Sequence, residues 1–339
     1  MKGFISGLPK VELHLHIEGT LEPDMLFAFA QKNGISLPFD TVEALREAYQ
    51  FNDLQSFLDL YYWGAKVLRT EQDFYDLTWA YLAHCHDDHV VHTEIFFDPQ
   101  SHMQNGVPMA TVINGIDRAL QDGQAQLGIS SGLIMCFLRH LSEDAAMETL
   151  RQALPFKDRI IAVGLDSSEL GHPPEKFTRV FTMAREAGWL TVAHAGEEGP
   201  ADNIQGALAH LQVSRIDHGV RCTDDPAVME TLRQRQIPLT VCPLSNVKLG
   251  IFDVLTTHNI MQLVAEGLCV TINSDDPAYF GGYMTANFLA VAEAFDVSKV
   301  EMAKFTQRAI DASFLSQDEK TVLQARLSNY VEHQFRAII

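Results

Sequence analysis

The residues here with the most chemical capacity are closely spaced histidines, and carboxylates that end apolar runs. In VELHLHIEGT (11–20), strand alternation puts Val11, Leu13 and Leu15 on one face and Glu12, His14 and His16 on the other. Two imidazoles on one strand face can grip one metal ion, which a single histidine cannot. Three further apolar runs end the same way. LTVAHAGEEG presents His194 and Glu197, RIDHG presents His218, and TINSDDP presents Asp275 and Asp276. Neutral imidazoles with one carboxylate suit zinc better than magnesium or calcium, which take oxygen shells. A catalytic zinc keeps a place for water and lowers its pKa from about 15.7 to about 7. Glu197, three residues beyond His194, can move protons, and so can an imidazole on a neighbouring strand. Residue types alone therefore point to metal-assisted hydrolytic attack on a small polar substrate.

These groups need a scaffold that brings distant strand ends together. Eight short apolar runs qualify as strands: 11–16, 90–98, 132–140, 160–167, 190–197, 215–219, 238–246 and 269–277. Helix-like segments such as FTRVFTMAREAG (177–188) and PAVMETLRQRQ (226–236) lie between them. Strands alternating with helices pair in parallel, and eight such units close an α/β (β/α)8 TIM barrel whose active site lies at the C-terminal strand ends. An open doubly wound sheet is disfavoured because no G-x-G-x-x-G follows the first strand. The interval from Ile17 to His89 exceeds one crossover, so DMLFAFAQKNG, TVEALREAYQ and FLDLYYW are expected to form extra helices after the first strand, covering one barrel mouth. Without a Gly/Ser linker, a low-complexity stretch or a charge block, residues 1–339 are expected to form a single metal-dependent hydrolase domain.

The bulk composition narrows the partners. The chain is 47% hydrophobic and 20% charged, as compact proteins are, and its net charge of -19 argues against a nucleic-acid partner. No apolar stretch of about 18 residues predicts a membrane span, and MKGFISGLPK reaches Pro9 and Lys10 without an apolar run long enough for a signal peptide. The five cysteines are an odd number without a C-x-x-C pair, which fits reduced thiols in a cytoplasmic protein. The apolar YYWGAKVL (61–68) serves either as core or as the interface of a homo-oligomer.

Taken together, ELHLHIEGTLEP (12–23), HAGEEG (194–199), RIDHG (215–219), PLSN (243–246) and NSDDP (273–277) resemble the adenosine and adenine deaminase family, the mononuclear-zinc branch of the amidohydrolase barrels. The resemblance runs from about residue 8 to beyond 290. It implies a (β/α)8 barrel, one zinc ion per chain, and hydrolytic loss of a 6-amino group from a purine. By matching motif, His14, His16, His194 and Asp275 would be the metal ligands. Glu197 would protonate the purine ring, His218 and Asp275 would act on the attacking water, and Asp276 would bond near N7. Glu18 stands where adenosine deaminases usually carry an aspartate that helps hold ribose. GLDSSELGHPP (164–174) and SDDPAYFGGY (274–283) look like the adenine deaminase subgroup. The implied reaction is adenine to hypoxanthine and ammonia, a purine-salvage step, with Ser167, Ser168 and Glu169 as further candidate contacts to the base. Adenosine or an N6-substituted purine is the alternative substrate, and a catalytically silent metal-binding barrel the remaining alternative. His92-Thr93-Glu94 matches half of another zinc deaminase signature, H-x-E, but its P-C-x-x-C partner is missing.

Overall fold

The computed structural model describes residues 1–51 and 53–336. After a short helix α1 (Lys2–Gly7), eight strands follow in chain order: β1 (Lys10–His16), β2 (Val90–Phe97), β3 (Ser130–Leu138), β4 (Ala162–Asp166), β5 (Leu190–Ala195), β6 (Arg215–His218), β7 (Leu239–Val241) and β8 (Val270–Ile272). They are hydrogen-bonded in that order, every neighbouring pair parallel. The ring closes at Leu15 and Asp275, which form a parallel bridge. There the His16 N–H donates to the Asp275 carbonyl at 3.0 Å, and the Asp275 N–H to the His14 carbonyl at 3.1 Å. The Leu13 N–H adds a bond to Asn273 Oδ1 at 2.8 Å. The structure is therefore the expected (β/α)8 barrel.

The long interval after β1 holds α2 (Pro23–Lys32), α3 (Val42–Ala48), α4 (Leu54–Ala65) and α5 (Glu71–Asp87). Asp53 and Thr70 cap α4 and α5 with reciprocal capping boxes, satisfying backbone donors that a helix start leaves free. The segment 61–68 proves to be core: Tyr61, Ala65, Val67 and Leu68 are buried within the chain.

Two expectations are corrected. The runs 238–246 and 269–277 are not strands throughout, because helices begin at Pro243 and Pro277, where the imide has no N–H to donate to a ladder. Glu12 also leaves the histidines' company. The β1–β2 register slips between Glu12 and Leu15, and Glu12 accepts a bond from the Tyr81 hydroxyl of α5 at 2.7 Å. Val11, Leu13 and Leu15 do join the main apolar core, as alternation predicts.

Inside the barrel, Phe96, Ile134, Cys136, Ala162 and Val192 form a separate apolar layer. Below it, near the N-terminal strand ends, Arg215 of β6 pairs with Glu94 of β2, both buried. His92 bonds Glu94 at 3.2 Å, the Phe314 N–H bonds it at 2.5 Å, and the Phe314 ring lies under the Arg215 guanidinium at 4.0 Å. The H-x-E of 92–94 is thus a structural lock, bonded to Arg215 and Phe314 rather than to the strand-end histidines. Burial alone would raise the Glu94 carboxyl, but the Arg215 charge and the His92 bond outweigh it and bring it to about 2. A carboxyl lowered on folding stabilises above its unfolded pKa of 4.5 and loses that contribution as pH falls toward about 2. Glu94→Gln is therefore expected to cost about 3 kcal/mol in urea unfolding at pH 7, since it leaves a buried guanidinium unpaired. The gap to wild type should shrink as pH is lowered from 4.5. An undiminished gap at low pH would remove the ion pair as its cause.

Candidate active site

At the other end of the barrel, side chains from first and last strands converge. His14 Nε2 lies 3.1 Å from Asp275 Oδ1, while His16 Nε2 lies 3.1 Å from His194 Nε2 and 3.5 Å from the same Asp275 oxygen. Ligand atoms about 2.1 Å from one tetrahedral ion stand about 3.4 Å apart, so these separations fit a single metal. His14, His194, His218 and Asp275 also offer ligand atoms within 4.8 Å of one another. His218 Nε2, however, is 3.8 Å from the second Asp275 oxygen and 3.6 Å from Glu197 Oε1, at the edge of the cluster and facing both.

The opposite nitrogens of the histidines explain why Nε2 points inward. His14 Nδ1 meets Thr240 Oγ1 at 2.9 Å, His194 Nδ1 lies 3.4 Å from Asp217, and His16 Nδ1 lies 3.5 Å from Asp166. An oxygen behind each ring fixes its orientation and makes its other nitrogen a better ligand. Asp217 in turn accepts the Thr240 hydroxyl at 2.9 Å. Burial would raise its carboxyl, but the bond and charge of His194, with His14, bring it to about 2. The phenyl ring of Phe96 forms the floor, 4.9 Å from His14 and 5.0 Å from His16 between ring centres.

Backbone conformation aims the remaining groups. Ser167, His218 and Asp275, at the ends of β4, β6 and β8, have φ of 75°, 62° and 65°. Non-glycine residues enter this left-handed region at a cost of about 1–3 kcal/mol each, and such positions concentrate at functional sites. The turn at Asp275 separates it from Asp276, so adjacent carboxylates take different surroundings. Ser245 donates to Asp275 Oδ2 at 2.6 Å. Asp276 instead packs against Gly19, where any Cβ would overlap its carboxylate. Burial first, and then the Asp275 charge, holds the Asp276 carboxyl well above the usual range. Glu197 is pushed up in the same way, by burial and then by Asp275. Burial keeps the His218 imidazole well below its usual range, and Asn246 meets its Nδ1 at 3.2 Å.

A cavity of about 30 Å³ opens here, lined from the barrel by His16, Asp98, Asp166, Ser167, His194, Glu197, His218, Asp275 and Asp276, and from α4 by Leu54, Phe57, Leu58, Tyr61 and Tyr62. No lysine or arginine lines it. His14 sits buried beneath, among its neighbours' imidazoles. Of the three candidates at 167–169, Ser167 alone faces the cavity. Ser168 is half-buried outside it. Glu169 turns behind the loop carrying Glu197, accepting from the backbone of Gly196 at 2.7 Å, Glu197 at 3.1 Å and Gly199 at 2.9 Å, and from Asn203 at 2.9 Å. Glu18 also lies behind the wall. His102 of α6 (Pro99–Gln104) meets it at 2.7 Å, the Asp98 N–H at 3.0 Å and the Tyr61 hydroxyl at 3.3 Å. Asp98, Asp166, Asp217 and Tyr61 carried no role in the sequence reading. Asp166 and Asp217 lie inside quoted motifs, beside residues that were assigned. Asp98 ends the apolar run 90–98 just before Pro99, a signal of the same kind, while Tyr61 had no comparable signal.

The family model described as adenosine deaminase matches residues 9–330. A Vibrio parahaemolyticus protein named adenine deaminase is 63% identical over 331 residues, covering 98% of each chain. Among solved structures, an adenine deaminase from Arthrobacter aurescens superposes with a TM-score of 0.95 at 50% identity, covering 96% of this chain and 99% of that one. An amidohydrolase from Burkholderia ambifaria with bound zinc gives 0.91 at 25% identity, covering 99% and 94%.

Because Asp217 touches no position an ion would take yet orients His194, Asp217→Asn is expected to weaken metal binding about 10–100-fold. Competition with a chelator of known affinity measures this. Unchanged affinity would assign Asp217 to packing alone.

Proposed function

This chain belongs to the adenosine deaminase family, and we propose that its cavity hydrolyses adenine to hypoxanthine and ammonia with one zinc ion held by His14, His16, His194 and Asp275. Near-full-length similarity to proteins named adenine deaminase carries the substrate. Three imidazoles and a carboxylate at separations of 3.1 to 3.5 Å support the metal. Zinc bound there supplies a Lewis acid that lowers the pKa of a water from about 15.7 to about 7.

The chain's own groups address the second obstacle, that an aromatic amine is a poor electrophile until its ring is protonated. Glu197 lines the cavity beside His218 and carries a proton to ring N1 as water adds at C6. His218, held by Asn246, orients that water, and Asp275 accepts from it. Asp276 bonds the imidazole edge at N7, and Ser167 contacts the base from the end of β4. Glu169 acts through Glu197 by fixing its loop. Glu18 and Ser168, away from the cavity wall, act at most through neighbours. As the tetrahedral carbon collapses, the proton taken by Asp275 passes to the amino group, which leaves as ammonia, and the C6 hydroxyl proton returns to Glu197. A cavity of about 30 Å³ holds roughly two waters, so its wall has to open to admit a base. A wall with five carboxylates and no lysine or arginine disfavours a substrate bearing phosphate.

The proposal extends to the whole molecule. Residues 1–339 form one hydrolase domain, since strands from both ends of the chain share the site. The protein works in the cytoplasm, in keeping with five free cysteines, and takes a small purine as partner rather than nucleic acid or a membrane. Among the described residues, no helix is long and apolar enough to cross a membrane.

Incubating the zinc-loaded protein separately with adenine and adenosine, and following ammonia release and the ultraviolet shift, is expected to show turnover of adenine alone. Turnover confined to adenosine would keep the chemistry and overturn the substrate. Glu197→Gln should retain bound metal while losing about 10²–10⁴-fold in kcat. Retained activity would take Glu197 out of proton transfer.

A further inference from the structure

Asp98, at the end of β2, is 1% exposed and lines the cavity. Its Oδ2 accepts from the Tyr61 hydroxyl at 3.1 Å, while its Oδ1 accepts no hydrogen bond among the described residues. Three contacts keep it in place. Its backbone N–H donates to Glu18, Tyr61 bridges the two carboxylates, and the Asp98 carbonyl accepts from Ser101. A buried carboxylate oxygen without a donor is expensive unless a ligand supplies one.

The order of strands around the mouth indicates which donor. Around the purine perimeter the reacting and bonding positions run N1, C6, N7, N9, N3. Around the barrel the cavity groups run Glu197 after β5, His218 at β6, Asp275 and Asp276 after β8, Asp98 after β2, and Ser167 after β4. Setting N1 at Glu197 and N7 at Asp276, as in the proposed reaction, brings N9 to the β2 side and N3 to the β4 side. Free adenine carries a hydrogen on N9. A nucleoside has ribose there and no donor.

We infer that Asp98 accepts the N9–H of the base and so selects free adenine over its nucleoside. The inference rests on the proposed adenine deamination. It gives Glu18 a positioning role: Glu18 does not fill the space of a ribose but holds Asp98 and Tyr61. A site built to bond a substrate N–H rejects the analogue without it, because the protein's acceptor is left buried and unpaired.

The test uses two inhibitors of adenine deamination that differ only in this donor: 7-deazaadenine, which keeps N9–H, and its furan counterpart, with an ether oxygen at that position. Both lack N7, so contacts there cancel. In wild type the N–H compound is expected to bind about 10–100-fold more tightly, because the furan leaves a buried acceptor unpaired. In Asp98→Ala the ratio should fall to within about threefold, as expected when the partner of a pairwise interaction is removed. Asp98→Asn, whose amide oxygen still accepts, should keep most of it. Equal inhibition in wild type, or a ratio untouched by Asp98→Ala, would overturn the inference. If Asp98→Ala does not fold, the wild-type ratio decides. Failure of wild type to release ammonia from adenine would instead overturn the proposed reaction.

Discussion

The seam between β8 and β1 is the constraint on which the site depends. Two backbone hydrogen bonds there join His14 and His16 to Asp275, so residues some 260 positions apart in the chain are held in one register. In an eight-stranded parallel barrel the last pair has no freedom of its own, because closure is fixed by the stagger of the other seven. Asn273 reinforces the join through its side chain. The ligand atoms of Asp275 and both β1 histidines therefore face one another at 3.1 to 3.5 Å because of ladder geometry, before any metal attracts them.

Electrostatics divides the labour among the carboxylates. All are buried, yet their surroundings move them in opposite directions. Asp217 is drawn down to about 2 by the histidines it touches, whereas Asp276 and Glu197 are pushed up by burial and by the charge of Asp275. Asp275, which does line the cavity, is likewise held low by the histidines around it. A cavity with some groups kept ionised and others inclined to hold a proton can take and give protons to a neutral ring. The absence of a lysine or arginine from the wall leaves a metal cation and the substrate's own donors as the partners available to these oxygens.

The far end of the barrel serves stability instead. Arg215 and Glu94 are as buried as the residues at the mouth, but His92, Phe314 and each other occupy them. Between the ends, Phe96 and its apolar layer keep the two polar networks apart. At the mouth, Ser167, His218 and Asp275 occupy left-handed backbone. The adjoining ladders and the Gly19–Asp276 packing hold those turns in place.

Much of this was legible in the residues themselves. Apolar runs alternating with helix-like segments implied the barrel, and His14, His16, His194, Glu197, His218, Asp275 and Asp276 could be named because each ends such a run. Local pattern suffices there, since period and turn residues are properties of adjacent positions. It failed where a side chain's meaning comes from a distant partner. Glu12 looked like a companion of the histidines until a register slip gave it to Tyr81. Glu169 looked like a substrate contact but anchors a loop, and Glu18 sits behind Asp98, which no motif marked. Sequence alone determined which strands carry chemistry. Only the tertiary structure decided which carboxylate oxygens are spent on neighbours and which remain for a ligand, because hydrogen-bond saturation depends on groups that folding brings from elsewhere in the chain.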